Sequence, residues 1–294
     1  MAKRGLRVVA PLRGAKDSYA GVRGRRVERL QTVAQVVFDC PFGESRFLDL
    51  IEAEPCDILA HHAADVESYT QWDFDPLRAV QRNAGGAHAT LAKAAEHGAK
   101  AVVITGTVFE AAAGGAGPGS LAANPYGLSK TLTSEAMRHF AAWAGLRFGR
   151  FVVANPFGPF EEQRFCWYLF KTWLSGNVPV VSTPDYVRDN VPVSMMAAAY
   201  ADYVVAMLEE PTTPSVRRPS GFVMSQGAFA QTVAQEASKR LGREFQLELA
   251  RQVKFSEPHL RVNDENCLQN DEISKFWDRY VEYYSALWQS GDLN

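Results

Sequence analysis

A tyrosine and a lysine stand four positions apart in the segment Tyr126-Gly127-Leu128-Ser129-Lys130. On a helix, this spacing places both side chains on one face, one turn apart. A cation close to a phenol favours the phenolate and lowers the phenol pKa. Tyr126 could then exchange a proton with a substrate hydroxyl or carbonyl near neutral pH. The same pair also arises by chance in unrelated sequences, so the surrounding residues must decide its meaning.

Residues upstream of this pair favour a catalytic interpretation. Asn124-Pro125 directly precedes Tyr126, and proline suits the first turn of a helix. The apolar run 101–105 is typical of a strand, and it ends in the hydroxyl-bearing Thr105. At the carboxyl end of a strand this hydroxyl could share a hydrogen bond with Tyr126 and a substrate oxygen. The alternative for Thr105 is an ordinary turn residue.

The elements that must position these residues alternate along the first half of the chain. We expect strands over residues 6–10, 35–39, 57–61, 101–105 and 151–154. We expect helices over residues 45–53, 76–98, 125–144, 162–175, 195–209, 226–242 and 271–288. Apolar strands separated by helices predict an α/β fold with a doubly wound parallel sheet, in which ligands bind beyond the carboxyl ends of the strands. The Ala/Gly-rich segment 111–124 is expected to be an active-site loop, and the aromatic stripe of the last helix a packing face.

Composition limits the classes of function. The chain has 294 residues, 47% of them hydrophobic, and a formal net charge of −2, which argues against non-specific nucleic-acid binding. No apolar run approaches the roughly 18–20 residues of a membrane helix, so we expect a cytoplasmic protein with neither a nucleic-acid nor a membrane partner. Four scattered cysteines indicate neither a zinc site nor a disulfide framework. His61 and His62 would point to opposite faces of a strand, which argues against a shared metal ion.

The segment Thr105-Gly106-Thr107-Val108-Phe109, followed by the Tyr126–Lys130 segment, resembles the catalytic signature of the extended short-chain dehydrogenase/reductases. These are nucleotide-sugar epimerases, dehydratases and reductases with a Rossmann-like fold. Further segments resemble the family in the same order along about residues 5–290. They are Asp57-Ile58-Leu59-Ala60-His61-His62-Ala63-Ala64, Asn83-Ala84-Gly85-Gly86, Asn155-Pro156-Phe157-Gly158-Pro159 and Val187-Arg188-Asp189.

The resemblance implies roles for individual residues. Tyr126 would be the acid/base, Lys130 would lower its pKa and hold the nicotinamide ribose, and Thr105 would orient the reacting group. The resemblance assigns NAD or NADP contacts, besides Tyr126 and Lys130, to Arg13, Asp39, Cys40, His62, Ala63, Ala64, Asn83 and Pro156. It assigns the nucleotide-sugar substrate to Thr107, Asn155 and Arg188, the last through its diphosphate. The alternative for Arg188 is an ion pair with Asp185 or Asp189.

The sequence departs from the family pattern at its beginning. The family opens with a strand and a Gly-x-x-Gly-x-x-Gly turn that cradles the pyrophosphate, and no such motif occurs here. The first residues instead resemble the end of the family's first helix and its second strand. Two explanations stay open, a longer natural protein or a short form without the phosphate cradle. Arg13, where the second strand ends, favours NADP slightly, and a solvated loop arginine is the alternative.

The type of reaction also leaves a trace in the sequence. Family dehydratases carry Asp-Glu directly after the catalytic threonine, whereas Gly106-Thr107 follows Thr105 here. We therefore expect an NAD(P)-dependent epimerase or ketoreductase acting on a nucleotide-activated sugar. The family usually has an acid where Met195 stands, which leaves the substrate open. The alternative is a non-catalytic relative that serves as a binding or scaffold protein.

The resemblance also predicts domains and an assembly. We expect a dinucleotide-binding domain over 1–160, rejoined by about 179–210, and a smaller, partly helical substrate domain over 161–178 and 211–294. A homodimer would pack the helices at 76–98 and 125–144 into a four-helix bundle.

Overall fold

The computed structural model describes residues 1–293, which form two compact units. Unit 1 contains Met1–Val153 and Ala199–Arg218; unit 2 contains Ala154–Ala198 and the described residues from Pro219 onward. Residues 154–160 and 179–198, expected in the first domain, thus belong to unit 2, because strands at 155–157 and 187–192 pair with each other. Residues 211–218 belong to unit 1, because the short strand at 216–217 pairs with the one at 147–153.

The elements follow one another in the order expected of an α/β protein. Those up to residue 153 are β1 Val9–Pro11, α1 Gly21–Gln31, β2 Gln35–Val37, α2 Ser45–Ala53, β3 Ile58–His61, α3 Pro76–Ala84, α4 Ala87–Glu96, β4 Ala101–Thr107, α5 Pro125–Trp143 and β5 Arg147–Val153. The later ones are β6 Asn155–Phe157, α6 Phe165–Leu174, β7 Val180–Val181, β8 Val187–Pro192, α7 Val193–Glu209, β9 Val216–Arg217, β10 Pro219–Ser220, β11 Phe222–Ser225, α8 Gln226–Leu241, β12 Glu248–Leu249, β13 Leu260–Arg261, β14 Glu265–Asn266 and α9 Asn270–Ser290.

The parallel sheet of unit 1 is interrupted. Strands β3, β4, β5 and β9 pair in that order, and all their pairs are parallel. Strands β1 and β2 form a separate parallel pair, and β1 does not pair with β3. In a doubly wound sheet the family's first strand lies between its second and fourth. The interruption falls at that place.

The predicted doubly wound α/β fold is confirmed, with local differences. The helix expected over 76–98 divides into α3 and α4 at Gly85-Gly86. Gly86 has a φ of +75°, and a Cβ atom there would lie 2.5 Å from the carbonyl oxygen of Gly43. Helix α1 was not expected, because its sequence contains two glycines and no continuous apolar face. The segment 111–124 is a loop, as predicted.

Unit 2 packs helices α6, α8 and α9 around an aromatic core. The predicted packing face of α9 is confirmed, since its buried residues are Phe276, Trp277, Tyr280, Val281, Tyr284 and Leu287. Strand β8 pairs in parallel with β6 and β13 and antiparallel with β11. Within residues 1–293, no helix combines the length and the apolar character that crossing a membrane requires.

Candidate active site

The start of α5 fixes the tyrosine and the lysine. Asn124 caps the helix, because its side-chain oxygen accepts a hydrogen bond of 2.7 Å from the Gly127 amide. A Cβ atom at Gly127 would lie 2.1 Å from the carbonyl oxygen of Phe109, so glycine allows α5 to approach the loop after β4 closely. This close approach sets the first turn of α5, with Tyr126 and Lys130, against the carboxyl end of β4.

The ring of Tyr126 is held by other aromatic side chains. Its centroid lies 5.1 Å from that of Tyr69, 6.3 Å from that of Phe74 and 6.2 Å from that of Phe109, all at steep interplanar angles. These contacts restrict the ring to one orientation. The aromatic contacts thus hold the Tyr126 ring in position without a ligand.

Lys130 is a buried cation, with a relative exposure of 3%. Burial lowers the pKa of its ammonium, and the carboxylate of Glu110 opposes that shift. Within residues 1–293, its ammonium has no hydrogen-bond partner. Its Nζ atom therefore keeps some open surface, where solvent or a ligand can supply acceptors.

The hydroxyl of Thr105 is already engaged. Its Oγ1 lies 2.5 Å from Nδ1 of His62, the residue directly after β3. The ring of His62 also contacts the ring of Tyr200, at a centroid distance of 5.0 Å. The dense protein around His62 lowers its pKa to about 4, and Lys130 adds to the shift. The side chain of His62 is nevertheless exposed to solvent.

His61 and His62 have different partners, in keeping with the expectation that they point to opposite faces. His61 is buried, and its Nε2 lies 2.8 Å from the backbone carbonyl oxygen of Asn83. Burial, and then the charge of Lys130, lower the pKa of His61 to about 4. The side-chain oxygen of Asn83 accepts a hydrogen bond of 2.7 Å from the Asp65 amide. Asn83 thus anchors the segment after β3 to α3, and its role toward a cofactor stays a prediction.

A cavity of about 860 Å³ lies in unit 1. Arg13 lines it, together with Arg23, Pro41, Phe42, Gly43, Glu44, Asp65, Val66, Glu67, Gln81, Arg82 and Gly85. Arg82 pairs with Asp65 at 3.0 Å, which neutralises part of this wall. The guanidinium of Arg13 can donate hydrogen bonds to a phosphate there.

The remaining residues assigned to the cofactor lie close to this cavity in sequence. Asp39 is exposed, has a φ of +51° and donates its backbone amide to the Gly14 carbonyl. Cys40 is 2% exposed and packs in the apolar core with Leu59. Ala63 and Ala64 are half-buried directly after His62. Their contacts with a cofactor stay predictions.

Unit 2 contains a cavity of about 220 Å³ that brings together Asn155, Pro156 and Arg188. The guanidinium of Arg188 lies 3.1 Å from Glu257, so its ion pair is with Glu257 rather than with Asp185 or Asp189. Asp189 is fully buried and accepts hydrogen bonds from two backbone amides, those of residues 221 and 263.

Sequence reasoning missed a carboxyl group at the same cavity. One oxygen of Glu161 accepts hydrogen bonds from the hydroxyls of Tyr280 and Tyr284. Burial raises the pKa of Glu161 to about 7, although the two hydroxyls favour its charged form. The signal was present in α9, where two phenols stand four positions apart on a packing face and need polar partners.

Sequence reasoning also missed Glu110, which follows the threonine segment. It is 2% exposed, and burial raises its pKa against the opposing effects of Arg150 and Lys130. Its Oε1 accepts a hydrogen bond of 2.8 Å from the Thr107 amide. Thr107 itself is buried, and its assignment to the substrate stays a prediction.

Comparison with known proteins gives a family and a fold. The model of the NAD dependent epimerase/dehydratase family matches residues 8–218. No curated protein sequence matches the chain significantly. Among solved structures, a UDP-glucuronic acid 4-epimerase variant from Bacillus cereus, in complex with NAD and a fluorinated UDP-sugar, aligns with a TM-score of 0.73 and 15% identity over 97% of this chain and 93% of that chain.

Two further solved structures are similar over almost their whole length. The UDP-N-acetylglucosamine 4-epimerase of Methanobrevibacter ruminantium, in complex with UDP-N-acetylmuramic acid, has a TM-score of 0.70 and 14% identity over 95% of this chain and 98% of that chain. The UDP-glucose 4-epimerase of Thermotoga maritima, with UDP-glucose, has a TM-score of 0.66 and 14% identity over 96% of this chain and 99% of that chain. At these identities the similarity establishes the fold.

Proposed function

The chain belongs to the NAD dependent epimerase/dehydratase family, and on that premise we propose that it is an NAD(P)-dependent epimerase of a nucleotide-activated sugar. The observation that carries the proposal is the largely buried side chain of Lys130, one turn from Tyr126 on α5, whose ammonium makes no hydrogen bond within residues 1–293 and keeps some open surface. In that arrangement Lys130 can donate to a ribose hydroxyl, and its charge can lower the pKa of the Tyr126 phenol.

The residues present fit a nicotinamide dinucleotide at its two ends. At one end, Lys130 offers a donor to ribose hydroxyls. At the other, Arg13 and Arg23 line the cavity of unit 1, and guanidinium groups suit phosphate. These arginines would bind a phosphate of the dinucleotide. When bound, NAD or NADP supplies the hydride chemistry.

The chain's own side chains manage protons and orientation. Tyr126 takes the proton of the sugar hydroxyl during oxidation and returns one during reduction. Lys130 favours the phenolate form of Tyr126 by its charge. Thr105 holds the reacting oxygen by a hydrogen bond. Since Gly106-Thr107 follows Thr105, the acid and base that a dehydratase needs at that place are absent.

Substrate recognition is assigned to unit 2. The solved structures similar to this chain include enzymes with UDP-sugars bound, which favours a nucleotide sugar over other alcohols. Asn155 and Arg188 line a cavity with the aromatic Phe229 and the carboxyl Glu161. Such a mixed polar and aromatic lining suits a nucleotide.

We also propose a homodimer built on α3 and α5. Leu77 on α3 is 69% exposed, and Leu128 and Leu132, one turn apart on α5, are 42% and 36% exposed. Apolar side chains at this spacing form a stripe that a second copy could cover.

A second candidate is a non-catalytic binding protein, and the ion pair of Arg188 with Glu257 favours it, because that pair engages the guanidinium expected to hold the diphosphate. One experiment separates the two candidates. The purified chain is incubated with NAD and either UDP-glucose or UDP-N-acetylglucosamine, and the C4 epimer is followed by proton NMR. Epimer formation that Tyr126→Phe abolishes supports the enzyme. Thermal stabilisation by a UDP-sugar without turnover, with NAD or with NADP, supports the binding protein.

A further inference from the structure

The contact between His62 and Thr105 adds a residue to the reacting site. The two side chains come from neighbouring parallel strands, since His62 follows β3 and Thr105 lies in β4. Their 2.5 Å separation joins Nδ1 of the imidazole to the hydroxyl oxygen. The family resemblance assigns His62 to the cofactor. In the structure its ring nitrogen contacts the hydroxyl of Thr105, which would hold the substrate oxygen.

A threonine hydroxyl has one proton to donate and lone pairs that accept. If Nδ1 of His62 carries no proton, Thr105 must donate to it, and only the lone pairs of Thr105 remain for the ligand. If Nδ1 carries the proton, His62 donates to Thr105, whose own proton is then available. The first arrangement suits a sugar hydroxyl, and the second suits a keto group.

We propose that His62 is a positioning residue that sets the direction of the Thr105 hydrogen bond and so lets one hydroxyl hold both the alcohol and the ketone. This inference rests on the proposed function. It requires that the imidazole be neutral and able to exchange its proton between its two nitrogens. The side chain of His62 is exposed to solvent, which provides a route for that exchange.

The groups around His62 favour a neutral ring with a fixed plane. Desolvation by the surrounding protein disfavours a positive charge on the imidazole, and the ammonium of Lys130 disfavours it further. Tyr200 contacts the ring at 5.0 Å, and burial raises the pKa of Tyr200, so that it stays a neutral phenol. The hydroxyl of Tyr200 is buried without a hydrogen-bond partner in residues 1–293. His61, the other neighbouring imidazole, is engaged with a backbone carbonyl on the opposite side.

Two substitutions test the role by turnover. In His62→Asn, the amide places a polar atom where Nδ1 stands and can offer either its oxygen or its nitrogen. His62→Leu removes the hydrogen bond. We expect kcat to fall by about two- to tenfold in His62→Leu, with KM nearly unchanged, and to recover in His62→Asn. His97→Leu, a histidine substitution on the C-terminal side of α4, is the matched control and should leave kcat unchanged.

A double-mutant cycle distinguishes positioning from a general structural effect. If His62 acts through Thr105, the further loss caused by His62→Leu should disappear in the Thr105→Val background. Equal losses in both backgrounds would overturn the proposal. So would a His62→Leu variant as active as the wild type.

A measurement without turnover keeps the inference separate from the proposed function. In the chain labelled with ¹⁵N-histidine, the two ring nitrogens of His62 report which one carries the proton. We expect a neutral ring with Nδ1 hydrogen-bonded, and a changed Nδ1 shift in Thr105→Val. An unchanged shift would refute the contact even in a protein that turns over. A changed shift in a protein that turns over no UDP-sugar would keep the contact and reject the proposed reaction.

Discussion

An oxygen of Glu110, Oε2, lies 3.0 Å from a guanidinium nitrogen of Arg150, in an ion pair whose carboxylate side chain is completely buried. The other oxygen accepts a hydrogen bond from the Thr107 amide. A negative charge is thereby fixed close to Lys130, where it opposes the effect of burial on the pKa of that ammonium. The negative charge of Glu110 thus favours the protonated form of Lys130, and no family motif in this sequence indicated this role.

Glu110→Gln should change the pH dependence of turnover. Without the carboxylate, burial alone acts on Lys130, so the pKa of its ammonium falls further and its proton is lost at lower pH. Because the charged form of Lys130 supports Tyr126, the alkaline limb of the kcat/KM profile should move to lower pH. Glu135→Gln, an exposed position on α5, is the control. An alkaline limb at the same pH in Glu110→Gln would contradict this role.

Tyr126→Phe should lower kcat by at least about 100-fold, which is the usual contribution of general acid–base catalysis. The fold should persist, because the ring contacts of Tyr126 do not need its hydroxyl. Far-ultraviolet circular dichroism and the melting temperature check the fold. Tyr69→Phe changes the neighbouring phenol, at a centroid distance of 5.1 Å, and should retain activity. Wild-type turnover in Tyr126→Phe, or loss of turnover in Tyr69→Phe alone, would refute the assignment.

The sequence was informative where local patterns and packing agree. The start of helix α5 could be predicted from Pro125 in its first turn, and β4 from its apolar run. Helix α1 escaped prediction because Gly21 and Gly24 lower its intrinsic helix propensity. The division of α3 from α4 coincides with the local pair Gly85-Gly86, whereas the close approach of Gly86 to Gly43 is a long-range contact that the sequence does not indicate.

The parts of the site that could not be predicted depend on long-range partners. Asn83 and Arg188 stand in family-like motifs, yet the side-chain oxygen of Asn83 accepts a hydrogen bond from the Asp65 amide, and Arg188 pairs with Glu257. Glu161 obtains its environment from tyrosines more than 100 positions away in sequence. Side-chain chemistry indicates which groups can react, whereas the pairing of buried groups follows from tertiary structure.

Glu161 should make the stability of the protein depend on pH. Its pKa is raised from 4.5 to about 7, so the folded protein holds a proton that the unfolded chain has released. The free energy of unfolding should therefore fall as pH rises from about 4.5 to 7, by up to about 3 kcal/mol from this group. Urea denaturation of the wild type and of Glu161→Gln at pH 5 and pH 8 measures the difference.

In Glu161→Gln this part of the pH dependence should disappear, because an amide does not titrate yet can still accept from the tyrosine hydroxyls. Glu162→Gln is the adjacent control and should keep the wild-type slope. A Glu161→Gln variant with the same slope as the wild type would show that other groups cause the dependence.

The cofactor prediction concerns Arg13 in the cavity of unit 1. A dinucleotide at about 100 times its dissociation constant adds roughly 2.7 kcal/mol, which shifts the melting temperature by several degrees. If Arg13 binds a ribose phosphate, the wild type should be stabilised more by NADP than by NAD, and Arg13→Ala should lose this difference. Arg251→Ala, an exposed arginine of unit 2, should keep it. Greater stabilisation by NAD in the wild type would reject the preference for NADP.

The proposed dimer depends on the exposed leucines of α3 and α5. Replacing both Leu128 and Leu132 by Glu puts charges one turn apart on the stripe, so a second copy could cover it only by desolvating both carboxylates. Sedimentation velocity at micromolar concentration should show a dimer for the wild type and a monomer for this variant. Leu121→Glu changes a leucine that is 90% exposed outside both helices and should leave the dimer intact. A dimer that survives the double substitution would show that the interface lies elsewhere. A monomeric wild type would refute the proposed dimer.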